Sequence, residues 1–348
     1  MKCLIVGHGI AGAMLGYFLE KKGVECMYVD APGQVASTQV AAGIINPITG
    51  RRYVKSWLVD TLLPVAKATY QELEKILGIS LYHETPLIRC LFDKGEENDW
   101  EIRKLDPDFQ PYIAHPPAVG HIPAITHPVT GYFQPAQTAQ VQIGSLVEHL
   151  AARHKAKGVY REVFFDHQQL TVTPTGIQYQ DLHADHIIFC EGWRVFANPF
   201  FSHLPFQGNK GEVLLVKLPE VALDRMVKHK LFVVPMNEGL YWIGSASSNR
   251  FTDEHPTAAN REYLINKLKE VLITPFEVVD HQAAVRPTIS DRRPCVGMHP
   301  NHPRVWIFNG LGTKGTSIAP WLAQHFSSHL LEGTPLDSAV DVRRFFKA

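Results

Sequence analysis

Apolar residues first gather at Cys3-Leu4-Ile5-Val6, a short unbroken run that suits a parallel strand covered on both faces. Gly7-His8-Gly9-Ile10-Ala11-Gly12 follows, and the apolar spacing then turns helical. Ile10, Met14, Leu15, Phe18 and Leu19 fall on one helix face, which Ala11, Ala13 and Gly16 keep thin. Lys21 and Lys22 suit the last turn, Gly23 is a left-handed stop, and a second apolar strand, Val24 to Val29, ends on Asp30.

Each part of this strand–turn–helix–strand unit has a mechanical job. The first glycine permits the tight turn, the second lets backbone approach a pyrophosphate, and the third lets the helix press on the sheet. The helix N-terminus offers amide hydrogens and partial positive charge to the phosphates. Asp30 closes the second strand, where a carboxylate accepts the hydroxyls of a ribose and repels a 2′-phosphate. The unit therefore predicts dinucleotide binding, not NADP, through Gly7, Gly9, Ile10, Ala11, Gly12 and Asp30. A secretory leader is rejected, because glycines interrupt the run and it ends in Glu20-Lys21-Lys22.

Further along, Gly33 to Ile45 reads as a small-residue loop in which Ala41, Ala42 and Gly43 suit close approach to phosphate or a flat ring. A helix is expected from Thr61 to Leu77, and another capped by Thr138 with Ile143, Leu146, Val147, Leu150 and Ala151 on its apolar face. Strands are expected at Val159 to Phe165, Leu170 to Thr173, Ile177 to Tyr179 and His186 to Cys190. The last stops at Glu191-Gly192, where glycine again permits close approach. Antiparallel strands follow at Glu212 to Leu218, Leu231 to Pro235 and Tyr241 to Ser245, then a helix near Arg261 to Leu272. Val305 to Phe308 is another buried strand, leading into Asn309-Gly310-Leu311-Gly312-Thr313-Lys314-Gly315 and a helix capped by Thr316 or Ser317. Two strand–glycine–helix units, one near each end, imply that both meet over one ligand.

At 348 residues the chain suggests two domains, and its equal counts of 34 basic and 34 acidic residues leave no field to recruit nucleic acid or anionic membrane. No window reaches the roughly 18 apolar residues of a membrane span. The five cysteines are scattered without a CxxC, the usage of a reducing compartment, so a cytoplasmic location is expected. His115, His121 and His127 are evenly spaced in the proline-rich Phe109 to Pro128 connection, but without cysteine or carboxylate partners no metal site is expected.

Taken together, these motifs resemble the D-amino-acid oxidase superfamily of flavoproteins, which contains glycine oxidases, sarcosine oxidases and D-amino-acid dehydrogenases. The resemblance rests on Gly7 to Gly12 with Asp30, Ala41-Ala42-Gly43, Gly131-Tyr132-Phe133-Gln134-Pro135, Cys190-Glu191-Gly192 and Val234-Pro235 with Ile243-Gly244. Arg286-Pro287…Asp291…Pro294…Gly297 and Gly310-Leu311-Gly312…Gly315…Ala319-Pro320 complete it. The last run looks especially like the oxidase half of the bifunctional enzyme that finishes 5-methylaminomethyl-uridine in tRNA.

The resemblance implies an α/β fold with a discontinuous Rossmann-like FAD-binding domain of the GR2 type (1–80, 136–205 and 281–348). It implies a substrate domain on an antiparallel or mixed sheet (81–135 and 206–280). It also implies FAD, with Val163, Cys190, Gly192, Gly310, Gly312, Thr313, Lys314 and Gly315 as further cofactor contacts. The expected reaction moves hydride from the α-carbon of an amino acid or N-substituted glycine to flavin N5, with oxygen or another acceptor reoxidising the ring. Arg286 either clamps the substrate carboxylate or pairs with Asp291 at the surface. Phe232 stands where glycine oxidases tend to carry tyrosine, so Tyr241 is the candidate hydroxyl. No cysteine stands just before Arg286, so the FAD is expected to be non-covalent. In Asn46 to Arg52, Arg52 either reads an anionic substrate or is exposed. Two alternatives accompany this reading: an oxidoreductase acting on carboxymethylaminomethyl-uridine in tRNA, and a catalytically silent flavin-binding protein.

Overall fold

The computed structural model describes residues 1–50, 52–115, 122, 124–126 and 130–346; Arg51, His121 and His127 lie outside them. The apolar strands assemble into a six-stranded sheet. Its centre is β1 (Lys2–Val6), β2 (Glu25–Asp30) and β14 (His186–Phe189), and its flanks are β10 (Tyr160–Glu162), β20 (Cys295–His299) and β21 (His302–Asn309). The order is β10-β2-β1-β14-β21-β20, parallel except at β20. Only β14 separates β1 from β21, and Val6, Phe189 and Ile307 are laterally in register. Both glycine turns therefore open at the same edge of the sheet, where the carboxyl ends of parallel strands form a binding crevice.

Helices cover this sheet because its strands are apolar on both faces. They are α1 (Ile10–Lys21), α3 (Val59–Leu77), α5 (Ile143–Ala156) and α7 (Gly315–Glu332), with the short α2 (Ser37–Val40) near the crevice. Ala13, Met14, Leu15, Leu322, Ala323 and Phe326 are fully buried where α1 and α7 meet the sheet.

A second sheet contains β7 (Leu87–Leu91), β8 (Gly131–Phe133), β15 (Phe206–Lys217), β16 (Met226–Lys228), β17 (Phe232–Pro235), β18 (Leu240–Ser248) and β19 (Glu277–Ile289). Its order is β19-β15-β18-β17-β16-β7-β8, antiparallel except between β16 and β7. Alternation divides its side chains. Leu214, Val216, Val233, Tyr241 and Ile243 cluster with Leu264 and Leu268 of α6 (Ala258–Val271), whereas Val213, Val234, Trp242 and Ala284 cluster with Val40 and Ala42. Trp242 Nε1 donates to the Val40 carbonyl at 2.8 Å, fastening this second face to the crevice loop. The smaller strands form the sheets β3 (Ile44–Ile45), β9 (Ala139–Val141) and β6 (Tyr82–His83), and β11 (Leu170–Val172), β12 (Ile177–Tyr179) and β13 (Leu182–Ala184). A hairpin pairs β4 (Ile48–Thr49) with β5 (Val54–Lys55).

Three expectations are corrected, and one helix is additional. Thr138 does not cap a helix: its hydroxyl donates to the Thr85 carbonyl at 2.8 Å, Ala139 and Gln140 pair with Ile45 and Ile44, and α5 starts only at Ile143. Helix α7 starts at Gly315 after Lys314, so Thr316 and Ser317 lie inside its first turn. The break expected at residues 280 and 281 falls inside β19, which pairs with β15 from Glu277 to Ile289. Helix α4 (Lys94–Lys104) was not expected, because its apolar stripe is nearly absent and only Trp100 is buried. Asp93 starts it, accepting from Glu96 N at 2.8 Å.

Candidate active site

Where β1, β14 and β21 end, a cavity of about 720 Å³ opens between the two large sheets. The first glycine turn supplies its floor. Gly7 has φ +94°, and a Cβ there would sit closer than 3.0 Å to the Cys190 carbonyl oxygen. Among the expected cofactor contacts, Gly7, Gly9, Ile10, Ala11, Asp30, Ala41, Val163, Cys190, Gly192, Gly312, Thr313 and Gly315 line the cavity.

Gly12, Ala42, Gly43, Gly310 and Lys314 do not line it, and packing accounts for each. A Cβ on Gly12 would strike the Gly7 carbonyl oxygen, so this glycine serves helix-on-strand packing. Gly43 is pressed against the Val141 carbonyl, Ala42 is buried in the interface with the second sheet, and Gly310 faces Ile289.

Asp30 is held ready at the end of β2. Its Oδ1 accepts from His8 N at 3.0 Å and its Oδ2 from the Tyr160 hydroxyl at 2.9 Å. His8 is buried, with Nε2 3.1 Å from His154 Nδ1, and His154 Nε2 lies 3.1 Å from Glu20 Oε1. Burial, helped by the charge of nearby His154, pushes the pKa of His8 down to about 3, so it is neutral at ordinary pH. Sequence reasoning missed both His8 and Tyr160. His8 occupies the variable position of the glycine motif, and nothing in the order of residues links Tyr160 to Asp30.

Arg286 lies on β19 and lines the cavity. It does not pair with Asp291, which bonds Arg344 at 2.9 Å instead. No acidic side chain among the described residues comes within ion-pair distance of Arg286; its Nη1 donates to Asn209 Oδ1 at 2.8 Å. Burial lowers its pKa but leaves an arginine charged. Gly211 makes room, since a Cβ there would overlap the guanidinium.

Three other candidates stand elsewhere. Tyr241 is buried on the α6 face of its sheet, away from the cavity, and its hydroxyl accepts from Leu223 N at 2.8 Å. Period-2 alternation decides this: Trp242, not Tyr241, takes the crevice face. Tyr241→Phe should leave substrate half-saturation unchanged yet cost about 1–3 kcal/mol in urea unfolding, because the Leu223 amide loses its acceptor. Arg52 is exposed; its carbonyl accepts from Arg103 Nε at 3.3 Å, and it borders a separate 220 Å³ depression with Asp99, Ile102 and Arg103.

Lys314 Nζ reaches the hydroxyls of Thr49, at 3.3 Å, and Ser56, tying the second glycine turn to the β4–β5 hairpin. Burial depresses its pKa to about 8. Between that value and the ordinary lysine value of about 10.4, the unfolded chain binds more protons than the folded one, so stability rises with pH. Denaturation midpoints should therefore rise from pH 8 to 10 in the wild type relative to Lys314→Met.

Comparison with known proteins gives the family and the fold. A family profile described as DAO, FAD dependent oxidoreductase, matches residues 2–328. The glycine oxidase of Pseudomonas putida is 28% identical over 358 residues, covering 96% of this chain and 95% of that protein. The tRNA 5-methylaminomethyl-2-thiouridine biosynthesis bifunctional protein MnmC of Marinobacter nauticus is 22% identical, over 99% of this chain and 58% of that protein. Among solved structures, iminodiacetate oxidase from a Chelativorans species superposes with a TM-score of 0.81 at 19% identity, covering 99% of this chain and 98% of the other. At that identity the likeness establishes the fold.

Proposed function

Because this chain belongs to the DAO family of FAD-dependent oxidoreductases, we propose that it oxidises the C–N bond of a small amino acid or N-substituted glycine whose carboxylate is held by Arg286. The observation that carries this reading is a half-buried guanidinium lining the cavity, with no acidic partner among the described residues. A partly desolvated cation without a counter-charge carries a cost, and a substrate carboxylate would offset it through two parallel hydrogen bonds.

The residues present fit FAD. Gly7 and Gly9 leave a bare backbone cradle before the α1 N-terminus, and Asp30 lines the same cavity with both oxygens already oriented. Bound there, FAD supplies the two-electron acceptor that the amine oxidation requires. The protein's own part is positioning. Arg286 fixes the carboxylate end, which limits the α-carbon to few orientations. The first turn of α7 brings unpaired amides and partial positive charge to the other side of the cavity. Cys190, the cysteine in the lining, is buried with its thiol pKa pushed well up, which supports a dissociable, non-covalent cofactor. The balance of 34 basic and 34 acidic residues supports a small-molecule substrate over a nucleic acid.

Anaerobic mixing of the FAD-loaded protein with glycine, sarcosine, proline and D-amino acids tests the reading. Bleaching of the flavin by at least one of them is expected, and an unchanged spectrum with the whole panel would reject it. Asp30→Ala should weaken FAD binding about tenfold or more, since losing a charged acceptor costs about 1.5–3 kcal/mol. Wild-type affinity in fluorescence titration would remove Asp30 from the cofactor site.

A further inference from the structure

Arg286 is aimed by a neighbouring strand. Asn209 stands opposite it in the β15–β19 register, and the guanidinium donates to Asn209 Oδ1 at 2.8 Å. That bond dictates which way the amide faces. With its oxygen toward Arg286, Asn209 must turn Nδ2 the other way, where it donates to Asn249 Oδ1 at 2.8 Å. The two amides thus form a directed chain from the guanidinium to residue 249.

Asn249 begins the segment that joins β18 to α6; Thr257 N anchors its far end on the buried Glu212 at 2.8 Å, and three further contacts fasten the stretch between. Phe251 packs on Trp193 with ring centroids 5.3 Å apart, in a space that exists because residue 208 is glycine. Asp253 approaches the buried Lys210 at 3.5 Å, and Glu254 approaches Arg194 at 3.6 Å. Trp193, Arg194 and Glu254 all line the cavity. Both ion pairs are long and partly exposed, so they hold the segment weakly. Ahead of the Thr257 anchor, the amide chain is the short link to Arg286.

We propose that Asn209 is a positioning residue for the carboxylate clamp, and that through Asn249 it couples the orientation of Arg286 to closure of the 249–256 segment over the substrate. A free arginine samples many rotamers, and a planar amide bonded to one edge of the fork leaves the other N–H groups directed into the cavity. A segment displaced from its seat would take Asn249 with it and release Asn209, loosening the clamp. Binding of a carboxylate and closure of the segment are then one event, and each favours the other. The inference rests on Arg286 being the carboxylate clamp.

The test uses the FAD-loaded protein and methoxyacetate, an unreactive isostere of N-methylglycine, followed by perturbation of the flavin spectrum. Asn209→Ala should raise the methoxyacetate Kd at least fivefold. Asn209→Asp should raise it at least tenfold, because a carboxylate at 209 pairs with Arg286 internally and competes with the ligand. The thermal midpoint of Asn209→Asp should not fall below that of Asn209→Ala. Asn249→Ala should raise Kd about threefold, and combining it with Asn209→Ala should add little, since both cut one chain. In turnover, half-saturation should move far more than limiting rate.

Unchanged Kd in Asn209→Ala and Asn209→Asp, with normal FAD content, would overturn the positioning role. Additive effects at 209 and 249 would overturn the coupling to the segment. A purely structural role would lower both midpoints without separating Asp from Ala in binding. Should Asn209→Ala fail to fold, Asn209→Ser and Asn249→Ala carry the same comparison. Arg286→Ala separates the two levels of the argument. If it leaves methoxyacetate binding intact, the clamp itself fails, whereas a large effect there with none at Asn209 removes only this inference.

Discussion

Replacing Arg286 with alanine should raise the substrate concentration for half-maximal flavin reduction by more than tenfold, with FAD content at the wild-type level. The size follows from its environment. The guanidinium is held on a strand, meets no acidic side chain among the described residues and is bonded to one neutral amide. A carboxylate docking there gains charge-assisted hydrogen bonds in a partly desolvated site, and losing a charged partner costs about 1.5–3 kcal/mol, on the order of ten- to a hundredfold in affinity. Arg286→Lys should fall between, because an ammonium keeps the charge but not the planar fork. The proposed FAD end of the cavity is built from the N-terminal glycine turn and Asp30, so flavin titration should be unaffected. Steady-state and rapid-mixing kinetics on both variants check the prediction; equal half-saturation in wild type and Arg286→Ala would contradict the clamp.

Gly12→Ala should yield protein that purifies without flavin. A Cβ at residue 12 would lie closer than 3.0 Å to the Gly7 carbonyl oxygen. Both the added atom and its obstacle belong to backbone-fixed groups, so no rotamer change relieves the overlap. Helix α1 must move off β1, and the amides at its N-terminus move with it. Overpacking of this kind costs about 1–3 kcal/mol, and it falls on the element that shapes the phosphate end of the cavity. Absorbance of the purified variant and its urea midpoint measure both consequences. Gly144→Ala is the matched control: Gly144 is helical, with open space where a Cβ would stand, so the change should stabilise by up to about 1 kcal/mol and leave FAD binding intact.

The cofactor half of the molecule was legible because its signals are local. Strand β1, helix α1 and strand β2 are consecutive, and the glycine turn and Asp30 derive their roles from that adjacency. The return of the same pattern at Val305 to Gly315 placed the second turn beside the first. The substrate half was harder to read. Tyr241 and Trp242 are neighbours in sequence, and only the register of the seven-stranded sheet decides which of them faces the crevice. Thr138 reads as a helix cap by residue type, yet pairing of Ala139 and Gln140 with Ile45 and Ile44 makes the stretch a strand.

By itself, the order of residues pointed to the family, the glycine turn and Arg286 as a candidate, because the resemblance rests on short motifs, each legible within a few residues of chain. Tertiary structure alone decided that Asp291 belongs to Arg344, that Asn209 holds Arg286 and that His8 and Tyr160 hold Asp30. Apart from the His8 contact, those partners lie on different strands or loops, 53 to 130 residues apart in the chain. Hydrogen bonds of that kind are set by sheet register and burial, quantities to which the whole chain contributes and no short stretch encodes.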